Sequence, residues 1–400
     1  MFDQLFKRPL MLACYRTSPL LKERLAYLRH LANQGYARET LRNTAQDQLV
    51  ILKLLGFDRR PHKTVTLDEI KRKTSRRKHY LFAVRWLRFM GRLKKPRVPV
   101  TPLAKKIKAF ANYMEHEAEL SSVTVCGRCW QVKMFFKQLR VQGGSLHAMT
   151  PHRIDTAFQK MLASGDYAQR SIRILADSLR AFFRFAETRG WCRKGLAESI
   201  RVPRVFSQAS LPMGPSWDDV QRLLAMAEGD RRDDIRDRPI LMLFAIYGLR
   251  RKEVSRLRLE DIDWEREEFR IVSSKSEQVR IYPLTWIVGG AILRYLREVR
   301  PRSPHREVFL TLPPPFRPLV HSALGALVHK RLRALNVSLH HYGPHALRYA
   351  CATRLLATGL SLKEIGDHLG HLHPNSTRVY AKVDLAGLRQ VADFELGGVQ

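Results

Sequence analysis

The chain has 400 residues, with 71 lysines and arginines against 37 aspartates and glutamates, so its formal net charge at pH 7 is +34. Hydrophobic residues make up 45% of the sequence, which excludes a wholly disordered chain. No window reaches the roughly 18 consecutive apolar residues of a transmembrane helix, and the N-terminal residues lack a secretory signal pattern, so we expect no membrane partner. An odd count of five cysteines favours a reducing cytoplasm over a disulfide scaffold.

The positive charge is the first indication of a partner. Lysines and arginines occur along the whole sequence rather than in one tail, which predicts binding to a nucleic acid. A generic RNA-binding protein has the same composition, so charge alone does not identify any chemistry.

The first predicted domain, residues 1–100, is helical. Apolar residues recur at helical spacing over 21–55, and a second helix is predicted over 80–90. Basic runs lie between these helices and in the Pro-rich linker after them; such runs are usually solvated surface, but here we interpret them as phosphate contacts. The predicted DNA-binding residues are Lys71, Arg72, Lys73, Arg76, Arg77, Lys78, Lys94, Lys95 and Arg97.

The second predicted domain, residues 106–200, is a helical bundle. Helices are predicted over 121–140, 152–163 and 167–189, with glycines between them. A single Cys-x-x-Cys pair, Cys126 and Cys129, lacks the second pair of ligands that a zinc site needs. We therefore interpret the two cysteines as core packing and predict no metal site.

The third predicted domain, residues 216–400, mixes helices with a small β-element. A strongly apolar helix is predicted over 239–247, with Pro239 in its first turn. Two short β-runs, 269–273 and 279–282, predict a hairpin with Lys275 at its tip. The predicted fold class is mainly α with a small β-hairpin or sheet: a helical N-terminal DNA-binding region followed by a mixed α+β domain.

Several polar residues of this third domain stand at structurally marked positions. Arg250 follows a glycine break, and Lys275 occupies the hairpin tip. His345 and Arg348 share one helix face. His371 follows a glycine C-cap, and Tyr380 follows nine residues later. Each one alone has an ordinary structural interpretation. The helix pair 345–358 and 361–370 also resembles a helix-turn-helix, so a non-catalytic DNA-binding regulator is an alternative.

In order and spacing, these residues match the Arg, Lys, His-x-x-Arg, Gly-His and Tyr motifs of the tyrosine recombinases, also called the phage integrase family. Residues 216–384 resemble that family's catalytic domain, and residues 106–200 resemble its helical core-binding domain. The resemblance implies that Arg250, Lys275, His345, Arg348, His371 and the nucleophile Tyr380 form the catalytic set. Residues 1–100 lie outside the familiar pattern, and additional DNA binding is their expected role.

The sequence departs from the family pattern at three positions. Tyr349 stands where many members have a second histidine, and Tyr247 replaces a commoner small residue. The hairpin tip at Lys275 lacks the glycine-rich Lys-Gly pattern that is usual in the family.

These residue types suit phosphodiester cleavage by a side-chain oxygen. Two arginines can brace the extra negative charge of a pentavalent phosphorane. A free tyrosine has a pKa of about 10, and neighbouring cations favour its ionised, nucleophilic form. His345 suits proton transfer or phosphate binding, His371 a hydrogen bond to a non-bridging oxygen, and Lys275 the protonation of the leaving 5′-hydroxyl.

Neither a magnesium-type carboxylate cluster nor a phosphate-binding P-loop occurs near these motifs, so we expect no cofactor and no metal. The predicted function is a site-specific DNA recombinase that integrates, excises or transposes a mobile element through a 3′-phosphotyrosyl intermediate. By resemblance, its partners are double-stranded DNA and three further copies in a homotetramer on two paired sites, with partner recombinases as an option. The predicted location is the cytoplasm, at the nucleoid, and a type IB topoisomerase is a second alternative.

Overall fold

The computed structural model describes residues 1–94, 101–139, 146–165, 167, 169–201, 214–273, 278–371 and 376–377. Helices dominate these ranges and one small antiparallel sheet accompanies them, so the predicted fold class is confirmed. Two compact units are present: one contains residues 1–94 and the described residues from 214 onward, and the other contains the described residues between them. In the described ranges, no helix combines the length and the apolar character needed to cross a membrane. The boundaries of the three predicted domains stay a prediction.

The N-terminal 94 residues form a helical module with its own core. Its helices are α1 (Phe2–Leu5), α2 (Pro9–Thr17), α3 (Leu21–Asn33), α4 (Arg38–Leu55), α5 (Leu67–Lys73) and α6 (Arg77–Phe89). The prediction of one continuous helical stretch over 21–55 is wrong, because the chain reverses between α3 and α4. Gly35 adopts a φ of +83°, which favours glycine, and the N–H of Tyr36 donates to the Leu31 carbonyl at 3.2 Å to close the end of α3.

The second unit contains helices α7 (Pro102–His116), α8 (Ser122–Gln138), α9 (Pro151–Ala163), α10 (Gln169–Thr188) and α11 (Leu196–Ser199). Helices α7, α8 and α9 begin with a hydroxyl side chain that accepts a hydrogen bond from the third residue of the helix. The predicted core role of the two cysteines is wrong for Cys126, which is exposed, while Cys129 is half-buried.

Phenylalanine rings form the centre of this unit. Phe182 of α10 is fully buried, and its ring centroid lies 5.4 Å from that of Phe110, 5.7 Å from Phe136 and 5.6 Å from Phe183. These edge-to-face contacts join α7, α8 and α10 around one ring.

The substitution Phe182→Ala should destabilise this unit by about 3–5 kcal/mol, because it removes a central ring and leaves a cavity. Amide hydrogen exchange over residues 169–188, measured by mass spectrometry, checks the loss of protection. Ile174→Ala is the matched control on the same helix, since Ile174 is exposed. Equal protection in the two variants would contradict the central role of Phe182.

The described residues from 214 onward contain helices and the sheet. The elements are α12 (Trp217–Ala225), α13 (Arg232–Ala245), α14 (Arg251–Arg256), β1 (Ile262–Asp263), β2 (Glu268–Val272), β3 (Val279–Pro283), α15 (Trp286–Arg294), α16 (His321–Ala334), α17 (Pro344–Ala357) and α18 (Leu362–Leu369). The sheet order is β1-β2-β3, with Val272 opposite Val279 and Arg270 opposite Ile281. The predicted hairpin is therefore confirmed, and its tip with Lys275 lies outside the described residues.

Helix α13 differs from its prediction. It begins at Arg232 rather than at Pro239, which lies inside the helix. Asp233 and Asp234 occupy the first turn, where carboxylates favour the helix N-terminus. Arg331 donates to Asp237 at 2.7 Å, so an ionic contact secures the turn that precedes the proline. The predicted helix omitted this polar first half because the prediction used apolar residues alone.

Candidate active site

The site is organised around the buried carboxylate of Glu253 on α14. The N–H of Arg250 donates to Glu253 Oε2 at 2.7 Å, and Arg250 Nη1 donates to Oε1 at 3.0 Å. Arg280 Nη2, on β3, donates to the same Oε1 at 2.8 Å. Only 2% of Glu253 is exposed, and a buried charge is tolerated only when it is paired and hydrogen-bonded. Glu253 therefore joins the start of α14 to strand β3.

Strand β3 also fixes the end of α18. Arg280 Nη1 donates to the His368 carbonyl at 3.1 Å, and the Tyr282 hydroxyl donates to the same oxygen at 2.5 Å. Burial raises the pKa of Tyr282 to about 12, so its hydroxyl stays protonated and remains a donor. The main chain that leads from α18 to His371 is thus attached to the sheet.

The two candidate arginines bind adjacent carbonyl groups of this same segment. Arg250 Nη2 donates to the Gly370 carbonyl at 2.6 Å, and Arg348 Nη2 donates to the Leu369 carbonyl at 2.7 Å. Arg348 is buried, with 4% exposure, and also donates to the Gly248 carbonyl, whereas Arg250 is half-buried. Both guanidinium groups consequently lie beside the segment that carries His371.

Residues 247–250 pass very close to α18. Gly248 has a φ of +59°, which favours glycine, and an ideal Cβ on it would lie 2.5 Å from Leu369 Cδ2, so a side chain there would require Leu369 to move. Tyr247, which departs from the family pattern, is buried against Phe269 at a centroid distance of 4.9 Å and donates to the Pro283 carbonyl at 2.8 Å. Tyr247 thus attaches the segment 247–250 to the sheet.

Two histidines complete the described part of the site. His371 Nδ1 lies 2.8 Å from Thr377 Oγ1, and burial together with the charges of Arg348, Arg250 and Arg280 lowers the pKa of His371 to about 4. His345 reaches solvent from the first turn of α17. Partial desolvation lowers its pKa too, and Arg348, Arg251 and Arg250 lower it further by repulsion. Both imidazoles are therefore neutral near pH 7.

Four of the predicted catalytic residues come from three separated segments and lie near the C-terminal end of α18. They are Arg250, His345, Arg348 and His371. Lys275 and Tyr380 lie outside the described residues, so their places in the site stay predictions.

Sequence reasoning missed Glu253, Arg280 and Tyr282. Two signals were available. Glu253 lies three residues after Arg250, one helical turn away. Arg280 and Tyr282 are two residues apart in the predicted strand and therefore lie on the same face of it.

The predicted DNA-binding residues lie on the surface of the N-terminal module. Those that are described sit at the end of α5, at the start of α6 and at the end of the module, and all are exposed: Lys71, Arg72, Lys73, Arg76, Arg77, Lys78 and Lys94. Lys73 pairs with Glu69 at 3.6 Å and Lys78 with Asp47 at 3.0 Å, so part of this charge is compensated. Lys95 and Arg97 lie outside the described residues.

Over the ranges that the structure describes, no group of three His, Cys, Asp or Glu side chains could hold a metal ion. The groups that the described part of the site offers are fixed cationic donors and neutral imidazoles.

The substitution Glu253→Gln should destabilise the part of the chain around the site by about 3–5 kcal/mol, because it leaves two arginines without their buried counter-charge. Urea denaturation followed by hydrogen exchange in β3 and α18 measures the effect. Glu260→Gln is the control, since Glu260 pairs with Arg258 and Arg306 at the surface. Unchanged protection in the Glu253 variant would contradict the bridging role.

Stability should fall as the pH drops from about 6.5 towards 4. Between the ordinary histidine pKa and the lowered pKa of His371, the unfolded chain binds a proton that the folded chain does not, so acid favours unfolding. His371→Gln should make this pH dependence shallower, whereas His321→Gln at the exposed start of α16 should not change it. Unfolding midpoints in urea at several pH values provide the measurement, and identical slopes for wild type and His371→Gln would contradict the assignment.

Comparison with known proteins places this geometry in context. Residues 216–386 match the model of the phage integrase family, and residues 107–190 match that of the phage integrase N-terminal SAM-like domain. Residues 191–215 separate the two matched regions.

Curated relatives carry integrase and recombinase names. The integrase/recombinase y4rF of Sinorhizobium fredii is 31% identical over 74% of this chain and 71% of its own length. The integrase/recombinase y4gC of the same organism is 41% identical over 46% of this chain and 95% of its own length. A further one, y4rA, is 37% identical over 56% of this chain, and the match spans only about half of that relative, 54%.

Solved structures share the fold. A lambda integrase dimer bound to a core site has a TM-score of 0.55 at 15% identity, covering 70% of this chain and 94% of that one. The Tn1549 transposon integrase in complex with a circular intermediate DNA has a TM-score of 0.56 at 18% identity, covering 72% and 98%. The two family models and the relative y4rF together show that this chain belongs to the tyrosine recombinase (phage integrase) family.

Proposed function

We propose that this protein is a site-specific DNA recombinase that cuts and rejoins DNA strands through a 3′-phosphotyrosyl intermediate. The observation that carries the proposal is the pair of guanidinium groups held on the adjacent carbonyls of Leu369 and Gly370, beside His371. Arginines fixed in this way need no rearrangement when negative charge develops next to them, and such preorganised donors are a large source of catalysis.

The arrangement of the side-chain hydrogen-bond donors supports a position for the scissile phosphate. A guanidinium carries five N–H donors, and the contacts of Arg250 with Glu253 and Gly370 leave donors for a non-bridging oxygen. Buried Arg348 adds positive charge next to the proposed phosphate. A neutral His371 can donate a hydrogen bond to a non-bridging oxygen through the ring nitrogen that does not face Thr377. Since a bound phosphate favours protonated histidine, DNA binding should raise the lowered histidine pKa values.

The nucleophile of the proposed reaction is Tyr380. Its hydroxyl oxygen attacks the phosphorus, its proton passes to neutral His345, and the bond to the 5′-oxygen breaks. Lys275 gives its proton to that leaving oxygen, so a 5′-hydroxyl and a 3′-phosphotyrosyl bond result. A 5′-hydroxyl of another strand then attacks the same phosphorus and releases the tyrosine, which conserves the bond energy.

The proposed partner is duplex DNA, acted on by a homotetramer at two paired sites, with or without partner recombinases. Relatives named as integrases and a transposon integrase of the same fold support a role in moving a mobile element, and such a protein would work at the nucleoid. A regulator that reads DNA with α17 and α18 fits less well, because Arg348 is buried and bonded to main-chain carbonyls rather than presented to solvent.

Tyr380→Phe should abolish covalent DNA attachment and leave DNA binding unchanged, because only the nucleophilic oxygen is lost. The substrates are nicked duplexes prepared from the DNA that flanks the gene, and the readout is an SDS-resistant protein–DNA adduct. Tyr349→Phe is the matched control and should still form the adduct.

Two outcomes would contradict the proposal. An adduct formed by the Tyr380→Phe variant would remove Tyr380 as nucleophile. Relaxation by the wild type of any supercoiled plasmid, with no requirement for a site, would favour a type IB topoisomerase.

A further inference from the structure

The hydroxyl group of Thr377 lies beside the imidazole of His371, and the proposed strand cleavage assigns it no role. We infer that Thr377 is a positioning residue: its hydroxyl donates a hydrogen bond to His371 Nδ1 and thereby keeps the ring proton on Nε2, the nitrogen that faces the proposed phosphate. What this proton position does for strand cleavage rests on the proposed function, whereas the position itself is a property of the DNA-free protein.

The contact between the two side chains is short and shielded from water. Thr377 Oγ1 lies 2.8 Å from His371 Nδ1, and only 4% of Thr377 is exposed. Within the described ranges, Nδ1 is the one hydrogen-bond partner of this hydroxyl. A buried hydroxyl hydrogen that lacks an acceptor costs free energy. The hydroxyl therefore donates, and Nδ1 accepts with the lone pair of an unprotonated nitrogen.

The neutral imidazole of His371 has a single ring proton. Burial and the charges of Arg348, Arg250 and Arg280 lower the pKa of His371 to about 4, so the ring is neutral near pH 7. The hydrogen bond that one ring nitrogen makes decides whether the proton sits on the other. Because Nδ1 accepts from Thr377, the proton is on Nε2. A non-bridging phosphate oxygen is an acceptor, so this tautomer is the one in which Nε2 of neutral His371 donates to it.

Helix α18 holds both partners of the contact at Gly366. The N–H of His371 donates to the Gly366 carbonyl at 2.9 Å, which fixes the main chain that carries the imidazole. An ideal Cβ on the same glycine would lie 2.9 Å from Thr377 Oγ1, so the absence of a side chain leaves the space that the hydroxyl occupies. One residue of α18 therefore sets the place of the histidine main chain and that of its hydrogen-bond donor.

The hydroxyl also connects the histidine with the segment that precedes the proposed nucleophile, because Thr377 stands three positions before Tyr380. Displacement of residue 377 from α18 would remove the donor to Nδ1, and the preference for a proton on Nε2 would be lost with it. The tautomer that suits a phosphate is thus favoured only while residue 377 is seated against α18.

Nitrogen NMR of the full-length, DNA-free protein measures the tautomer directly. The protein carries isotope-labelled histidine, and the signals of His371 are identified by their absence from His371→Gln. In wild type we expect a protonated Nε2 and an unprotonated Nδ1 at pH 7, and Thr377→Ser should keep this pattern. Thr377→Val lacks the hydroxyl and should shift the population towards the Nδ1 tautomer. It should also raise the pKa of His371, because a hydrogen bond to unprotonated Nδ1 stabilises the neutral ring.

Two results of the NMR experiment would overturn the inference. One is a proton on Nδ1 rather than on Nε2 in wild type. The other is an unchanged tautomer and an unchanged His371 pKa in Thr377→Val.

Single-turnover formation of the covalent adduct on nicked duplex measures the consequence for strand cleavage. Thr377→Val should slow the reaction by about tenfold at unchanged DNA affinity, which is the effect of one hydrogen bond, and Thr377→Ser should stay within about threefold of wild type. Thr358→Val is the matched control, because it removes an exposed hydroxyl at the end of α17. Equal rates in Thr377→Val and in this control would contradict the role of Thr377.

Two further variants separate positioning from folding. If Thr377 acts through His371, adding Thr377→Val to His371→Gln should leave the already lowered rate unchanged. A further loss in the double variant would instead indicate a general structural effect. Gly366→Ala places a Cβ where the hydroxyl lies, so both the Nε2 population and the rate should fall, and wild-type values for both would contradict the positioning by α18.

The two proposals fail separately. A wild-type protein that forms no adduct would contradict the recombinase, while its nitrogen spectrum would still report where the His371 proton lies. A wild-type protein that forms the adduct with the proton on Nδ1 would contradict the role of Thr377 alone.

Discussion

The carboxylate of Glu253 is the interaction on which the rest of the site depends. It is buried and accepts hydrogen bonds from Arg250 and from Arg280, which come from α14 and β3. Withdrawing a carboxylate from water costs several kcal/mol unless partners replace the solvent, so this site is stable only when both arginines are in place. Each arginine then reaches the end of α18, and the position of His371 follows from theirs.

The same connections tie strand β3 to the end of α18. Strand β3 carries Arg280 and Tyr282, and both side chains bind the His368 carbonyl. A displacement of this strand would therefore move the end of α18. Two hydrogen bonds to one carbonyl oxygen limit such movement.

Positive charge is handled in two ways in this molecule. Around Glu253, Arg250 and Arg280 share a buried counter-charge and the histidines remain neutral, so the site concentrates cationic donors without excessive repulsion. On α6, exposed arginines have solvent rather than acids around them, which costs little in the free protein. Cationic side chains that bind nucleic-acid phosphates release the counterions condensed on them, and this release favours binding.

Much of this protein follows from its sequence alone. The hairpin, the predominance of helices and the order of the Arg, His-x-x-Arg and Gly-His motifs are local features, since periodicity and turn residues act over a few positions. Local patterns failed where distant contacts decide: the start of α13 depends on Arg331 pairing with Asp237, and the exposure of Cys126 depends on which face of α8 packs inward. Only the tertiary structure revealed that Glu253 reaches Arg280 on β3 and that Arg250 reaches the Gly370 carbonyl, 120 positions away. No spacing rule reports such a pair, since its energy comes from burial that exists only after the chain has folded.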